Sequence, residues 1–264
     1  MAIRPADADD RIRRARALAD SHPQAAQPLT FYAALTELQR SIVQANPSVV
    51  RPAVPRADAL DFEAAADALP GLLTGLRTIA PAPLAAAADA LLRESHAEWR
   101  HLLHTWWRGE RDGEPHRSFI AEALLHPYAE AIARGTDADH TSGDAGGTCR
   151  VCGDLPVVAV LREEAHGARR SVICGLCLTE WPAPRVGCLH CGEAQFDKLA
   201  VYRADDFPGV RVDACETCRE YVKTIDLTKD ATAIPVVDDI ASVALDLWAR
   251  EQGYRRIRPN LLRL

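Results

Sequence analysis

The first 148 of the 264 residues contain no cysteine. A disulfide framework is therefore excluded from that part of the chain. No apolar run approaches a bilayer span. The longest, the alanine-rich stretch from Pro81 to Leu92, falls far short of the ~20 residues a transmembrane helix needs. Met1 to Asp10 already carries Arg4, Asp7, Asp9 and Asp10, and no apolar core follows Arg13-Arg14. Neither a secretory nor a twin-arginine leader is read here, so the expected compartment is the cytoplasm, with no membrane insertion. Positive charge is not in excess either. The formal net charge is −6; the part before Ala145 carries 15 basic and 20 acidic residues, and the remainder 16 and 17. A phosphate-tracking partner needs a concentrated basic surface, so nucleic acid is disfavoured. What is plentiful is the ordinary globular mixture, 48% hydrophobic and 26% charged, over a length that suits one large domain or two.

All eight cysteines fall after residue 148, and all eight lie in C-x-x-C pairs: Cys149/Cys152, Cys174/Cys177, Cys188/Cys191 and Cys215/Cys218. In a reducing compartment such thiols read as metal ligands. The pairs form an internal repeat. CRVCG, a hairpin and CGLC make one copy; CLHCG, a hairpin and CETC make the other. The spacers 153–173 and 192–214 are hairpin length, so the second knuckle of each copy returns beside its first. Cys149, Cys152, Cys174 and Cys177 form one expected site, and Cys188, Cys191, Cys215 and Cys218 the other. Cross-bracing, first knuckle with third and second with fourth, is the alternative. Gly153 and Gly192 follow the second cysteine of their knuckles, where the turn calls for positive φ. Four thiolates fill a tetrahedron, so both sites are closed: structural or electron-transferring, with iron and zinc sharing the geometry. His190, inside the third knuckle, is read as exposed. No nucleophile elbow, phosphate loop or acid pair is present, and no catalytic residue is assigned.

Ahead of the cysteines the periodicity is helical. A short amphipathic helix is expected over 10–19. Phe31, Leu35, Leu38 and Ile42 mark one face of the next, over 30–43. Two short helices are expected around Pro70-Gly71, one long helix from Pro83 to about Trp107, and one over 118–133 capped by Ser118 and stopped by Gly135. His101 and His104 are expected to pack, partly buried, beside Trp99, Trp106 and Trp107. The segment 135–148 is small, polar and glycine-rich and reads as a flexible linker, with His140 solvated inside it. Hairpins are expected from 156–162 with 170–173, and from 199–203 with 210–212. A last helix is read from a cap at Asp238 or Asp239 to Gly253, with Ile240, Val243 and Leu247 as its stripe. Arg255, Arg256, Arg258 and Arg263 behind it are expected to be solvated.

CRVCG at 149–153, CGLCLTEW at 174–181 with Arg185, CLHCG at 188–192, ACETCREYVK at 214–223 and the tail PVVDDIASVALDLWAREQGYRR, followed by Pro259-Asn260-Leu261-Leu262, together resemble the formate dehydrogenase accessory protein E (FdhE) family. The likeness continues more weakly through RARALADSHP, the Gln39 region and ALLHPYAEAIA. It departs in the proline-rich 182–184 stretch. The resemblance implies an α+β protein: a helical domain over 1–134, the linker 135–148, rubredoxin-like four-cysteine modules over 149–186 and 187–231, and a C-terminal helix and tail over 232–264. It also implies a cytoplasmic maturation factor that binds a formate dehydrogenase catalytic subunit and holds two metal ions, iron or zinc. A homodimer stays open. A rubredoxin-like electron carrier and a zinc-ribbon nucleic-acid module are the other classes, the second disfavoured by charge. Glu180, Trp181 and Arg185, held beside a metal-anchored knuckle, are the candidate partner-binding residues; Trp181 equally suits a cap on a small ribbon core.

Overall fold

The computed structural model describes residues 6–51, 59–110, 113–135, 147–164 and 167–264. Residues 136–146 of the expected linker, with His140, lie outside them. Two compact units are found: Met1–Thr30 with Ala138–Leu264, and Phe31–Asp137. This division separates the first helix from the rest of the expected 1–134 domain. No helix among the described residues is long and apolar enough to cross a membrane.

The helical unit is built from the second helix onward. The first two helices are α1 (Ala8–Ser21) and α2 (Ala26–Ala45). Next comes α3, Phe62–Ile79, one continuous helix where two were expected. Asp61 caps it by accepting from the backbone N–H groups of Glu63 and Ala64. Pro70 costs about 3 kcal/mol inside a helix. The unbroken buried face of Ala65, Leu69, Leu72, Leu73 and Leu76 outweighs it, each large apolar side chain contributing roughly 1.5–3 kcal/mol. The long helix expected after Pro83 is instead two, α4 (Ala82–Leu91) and α5 (His96–Trp107). Ser95 starts the second through a capping box with Glu98, a Ser-x-x-Glu signal legible in the sequence. His101 and His104 on α5 are exposed, because Leu102, Leu103, Trp106 and Trp107 occupy its buried face.

The helix α6 (Pro115–Arg134) is buried nearly all round. Glu114 caps it and Pro115 occupies the first turn, so Ser118 is not the cap; its hydroxyl accepts from Trp106 Nε1 inside the unit. Gly135 ends it, as expected. Pro127 has no N–H to give the Ala123 carbonyl, and Gln39 Nε2 supplies that hydrogen bond at 2.7 Å. Next to the proline, Tyr128 is fully buried, and its hydroxyl has no hydrogen-bond partner among the described residues. Burial pushes its pKa up to about 12. An unpaired buried hydroxyl costs stability. Tyr128→Phe is therefore expected to leave thermal unfolding unchanged or stabilise it by about 1 kcal/mol; a clear loss would mean that the hydroxyl has a partner in solution.

The second unit centres on one sheet. Strands β1 (Pro156–Glu164), β2 (Gly167–Cys174) and β3 (Glu180–Pro182) form one antiparallel set, and β4 (Leu199–Arg203), β5 (Val210–Cys215) and β6 (Glu220–Asp226) repeat it. The two sets fuse through parallel pairing of β1 with β6, Ala159 opposite Thr224 and Leu161 opposite Asp226. The order is β3-β2-β1-β6-β5-β4, with β7 (Arg255–Arg256) also on β6. Fusion satisfies two edges that separate modules would leave open. On one face Val158, Val160, Ile173, Val212 and Ile225 pack with Leu245, Ala249 and Tyr254.

The expected last helix is likewise two, α7 (Pro235–Ala241) and α8 (Val243–Glu251). Asp238 and Asp239 lie inside α7, buried, and neither is its N-cap residue, which is Ile234; Asp238 reaches back to accept from the Ile234 N–H at 2.8 Å. Lys223 Nζ enters the junction and donates to the Asp239 carbonyl at 2.5 Å, the Ser242 carbonyl at 3.3 Å and the Ser242 hydroxyl at 3.1 Å. A cation at a helix C-terminus is favoured by the helix dipole, and here it stands where the helix breaks. Leu247 is exposed, and Leu245, Asp246 and Ala249 are the buried residues of α8. Arg14 of α1 donates to Asp238 at 2.5 Å and Asp230 at 2.9 Å, which ties the first helix to α7.

Candidate metal centres

Three of the four knuckles are tight turns closed by a backbone hydrogen bond to the first cysteine's carbonyl, and in the second Cys174 N–H donates to the Thr179 carbonyl at 2.9 Å. Gly153 N–H donates to the Cys149 carbonyl at 2.7 Å, Gly192 N–H to Cys188 at 3.1 Å and Arg219 N–H to Cys215 at 2.9 Å. The residue after every second cysteine has positive φ: Gly153 at 71°, Leu178 at 57°, Gly192 at 74° and Arg219 at 61°. Glycine meets this demand at no steric cost, as the sequence predicts, while Leu178 and Arg219 accept the strain at the start of a strand-forming segment. The turn aims N–H groups at sulfur. Leu176 and Cys177 donate to Cys174 Sγ, and His190 and Cys191 to Cys188 Sγ, at 3.4–3.5 Å.

The pairing is sequential. Cys149, Cys152, Cys174 and Cys177 converge in one group, and Cys188, Cys191, Cys215 and Cys218 in another; within each group the sulfurs lie within 4.8 Å of one another. Cross-strand sulfur distances are 3.6 Å (Cys149–Cys177) and 3.1 Å (Cys152–Cys174) in the first, and 3.6 Å (Cys188–Cys218) and 3.7 Å (Cys191–Cys215) in the second. A tetrahedral ion bound to four thiolates at ~2.3 Å sets sulfurs ~3.8 Å apart, so both groups fit zinc or a single iron. Crowding also calls for a cation. Hydrogen bonds from Cys152, Cys174 and Cys177 lower the Cys149 thiol, whereas burial pushes the Cys174 thiol well up. Four such thiolates are not stable side by side without compensating charge.

Residues that sequence reading placed elsewhere support the first group. Arg258, expected in solvent, is 2% exposed and holds Asp154 through Nε at 2.8 Å and Nη2 at 2.7 Å. Asp154 follows the first knuckle, and its carbonyl accepts from Cys149 N–H at 2.8 Å. A Cβ on Gly175, inside the second knuckle, would fall 2.3 Å from Arg258 Cδ, so glycine there admits the arginine. Arg256 is also buried, between Asp239 at 2.5 Å and Asp246 at 3.0 Å. Of the four arginines expected to be solvated, then, Arg256 and Arg258 are structural. Burial would raise Asp239, but Arg256 and Lys223 outweigh it and hold the carboxyl below the usual carboxylate range. The signal for these residues was three aspartates interrupting an apolar helical stripe just ahead of an arginine-rich tail.

The candidate partner residues do not share one exposed surface. Glu180 is turned inward; its side chain is 6% exposed, receives Arg162 at 2.8 and 2.9 Å and accepts from the Ser171 hydroxyl. Trp181 is buried on β3 opposite Val172. Strand pairing turns both into the fold. Arg185 alone is exposed, at the rim of a cleft of about 220 Å³ that Cys188 and Cys215 also line. His190 is exposed, as expected.

Residues 186–263 match the family model of the FdhE C-terminal domain. An FdhE homologue of Aquifex aeolicus is 40% identical over 116 residues, 43% of this chain and 41% of that protein. The FdhE homologue of Rhizobium meliloti is 30% identical over 275 residues, covering 94% of this chain and 87% of that protein. The crystal structure of the FdhE protein from Pseudomonas aeruginosa matches with a TM-score of 0.78 at 26% identity, over 99% of this chain and 98% of that one. With its fold shared from end to end and a relative aligned over nearly its whole length, the chain belongs to the FdhE family.

Proposed function

We propose that this chain is a cytoplasmic accessory protein for the maturation of formate dehydrogenase, that it binds the enzyme's catalytic subunit, and that it holds two metal ions. The observation that carries this reading is a pair of four-sulfur groups of metal-site geometry in a chain of this family. Cys149, Cys152, Cys174 and Cys177 would hold one ion, and Cys188, Cys191, Cys215 and Cys218 the other. Bound there, zinc or iron would supply cross-linking of the hairpins, and iron a one-electron couple as well. Four sulfur donors leave no coordination position for water or substrate, so hydrolytic metal chemistry has no place at either centre. The chain's own part is to fix the knuckles and present a preorganised surface to the client.

The test is retention of a formate dehydrogenase catalytic subunit by the tagged full-length chain, with metal analysis and visible spectroscopy on protein purified without air. Expected are capture of the subunit, about two metal equivalents per chain and no oxidation of formate by the chain alone. Failure to retain the subunit sinks the accessory reading, and formate oxidation by the pure chain overturns the non-enzymatic one. Cys191 at the surface favours a second reading, a rubredoxin-like electron carrier. A reversible visible absorption change with iron bound would select it.

A further inference from the structure

We propose that the two centres are unequal: the first is a permanent structural site, and the second is the exchangeable one, open to chelators, thiol reagents and ligands offered by a partner. This rests on the metal reading of both groups. In the first, Cys149, Cys152, Cys174 and Cys177 are at most 3% exposed. In the second only Cys215 is buried; Cys188 and Cys218 are half-buried and Cys191 is exposed. The repeat makes the comparison position by position. Asp154 and Glu193 stand at equivalent places, each accepting through its carbonyl from the first cysteine's N–H at 2.8 Å. Asp154 is sealed under Arg258, whereas Glu193 is only half-buried and accepts from the exposed Thr217 hydroxyl. Gly175, beneath the buried arginine, corresponds to Glu216, which is exposed. Thr179 also sets its hydroxyl 3.1 Å from Cys177 Sγ. The second site borders a cleft with Val186, Phe196 and Val201 exposed around it.

Ligand exchange at a filled tetrahedron needs one sulfur that an incoming donor can approach. Cys191 is that sulfur: its bond to the ion breaks as the incoming donor's bond forms, and the freed thiolate takes a proton from water. The first centre has no sulfur so placed, and its surrounding shell is pinned by the Arg258–Asp154 pair, so release there must wait for local opening.

The full-length chain, loaded with two equivalents of Zn²⁺, is challenged without air by EDTA and N-ethylmaleimide together. Zinc release and the positions of alkylated cysteines are followed in time. Two steps of one equivalent each are expected, the first faster by about tenfold or more. Label in the first step should be confined to Cys188, Cys191, Cys215 and Cys218. A single common rate, or label at Cys149, Cys152, Cys174 or Cys177 in the first step, overturns the proposal. Failure to take up two equivalents at the outset would instead defeat the metal reading beneath it. Arg258→Met should accelerate the slow step and leave the fast one unchanged; should that variant not fold, the label map of the unaltered chain still decides.

Discussion

Cys149→Ser with Cys152→Ser is expected to leave about one metal equivalent in place of two and to unfold the first hairpin. The retained ion should sit on Cys188, Cys191, Cys215 and Cys218, since the sulfur groups pair in sequence order. The effect is large because metal binding in such units is also folding free energy, roughly 10 kcal/mol or more for structural zinc. It does not stop at the first module. β1 supplies the parallel partner of β6 at Ala159, Val160 and Leu161, so its loss strips one edge of β6. Metal analysis with limited proteolysis checks this: cuts should gather in 156–174, and amide exchange should quicken over 224–226. An ion retained instead on Cys174, Cys177, Cys215 and Cys218, located by protection of those four thiols from alkylation, would mean cross-braced coordination in solution and sink the sequential pairing.

Lys223→Met is the second change with a large expected effect. The lysine is fully buried, with Nζ 2.5 Å from Asp246 and 3.2 Å from Asp239. Arg256 is the other cation on the same two carboxylates, and Asn260 Nδ2 donates to Asp239 at 2.9 Å. Methionine fills similar space but leaves two buried carboxylates facing one arginine. It also removes the donor at the α7–α8 junction. Breaking a buried pair from one side costs about 3–5 kcal/mol, because the remaining charge is uncompensated. Denaturant unfolding of metal-loaded protein should register a loss of that order. Adding Asp246→Asn should recover part of it, since the excess negative charge is then gone. A loss below about 1 kcal/mol would mean that water reaches the cluster and that these charges are not sealed as the structure has them.

Legibility followed locality. The knuckles were readable because their chemistry is complete within five residues: two sulfurs and a turn, with a glycine where φ must be positive in the first and third. The sequential pairing followed from hairpin-length spacers, and the closed character of both centres from the count of four donors. Helix ends were legible where the cap lay in the sequence, as at Gly135. They were misread where two signals competed. Ser118 suggested a cap, but Glu114-Pro115 lies one turn earlier and leaves Ser118 to Trp106. The continuous apolar face of α3 overrode Pro70, and the capping box at Ser95 broke a stripe that periodicity alone joined.

By itself, then, the sequence determined what short-range stereochemistry controls: helical and stranded regions, and eight sulfurs at metal-ligand spacing with their grouping in fours; its motifs also carried the resemblance to the family. Only the tertiary structure decided which polar residues belong inside. β6 was not legible as a strand because Glu220, Lys223 and Thr224 are ordinary surface residues until their partners arrive, and all three are buried. Arg258 meets Asp154 across 104 positions, and Arg256 reaches the Val157 carbonyl across 99. Glu180 turned inward for the same reason, accepting from Arg162 two strands away on β1. A charge is tolerated in the interior only when a partner of opposite sign and its hydrogen bonds are already in place. No pattern of neighbours along the chain records that condition.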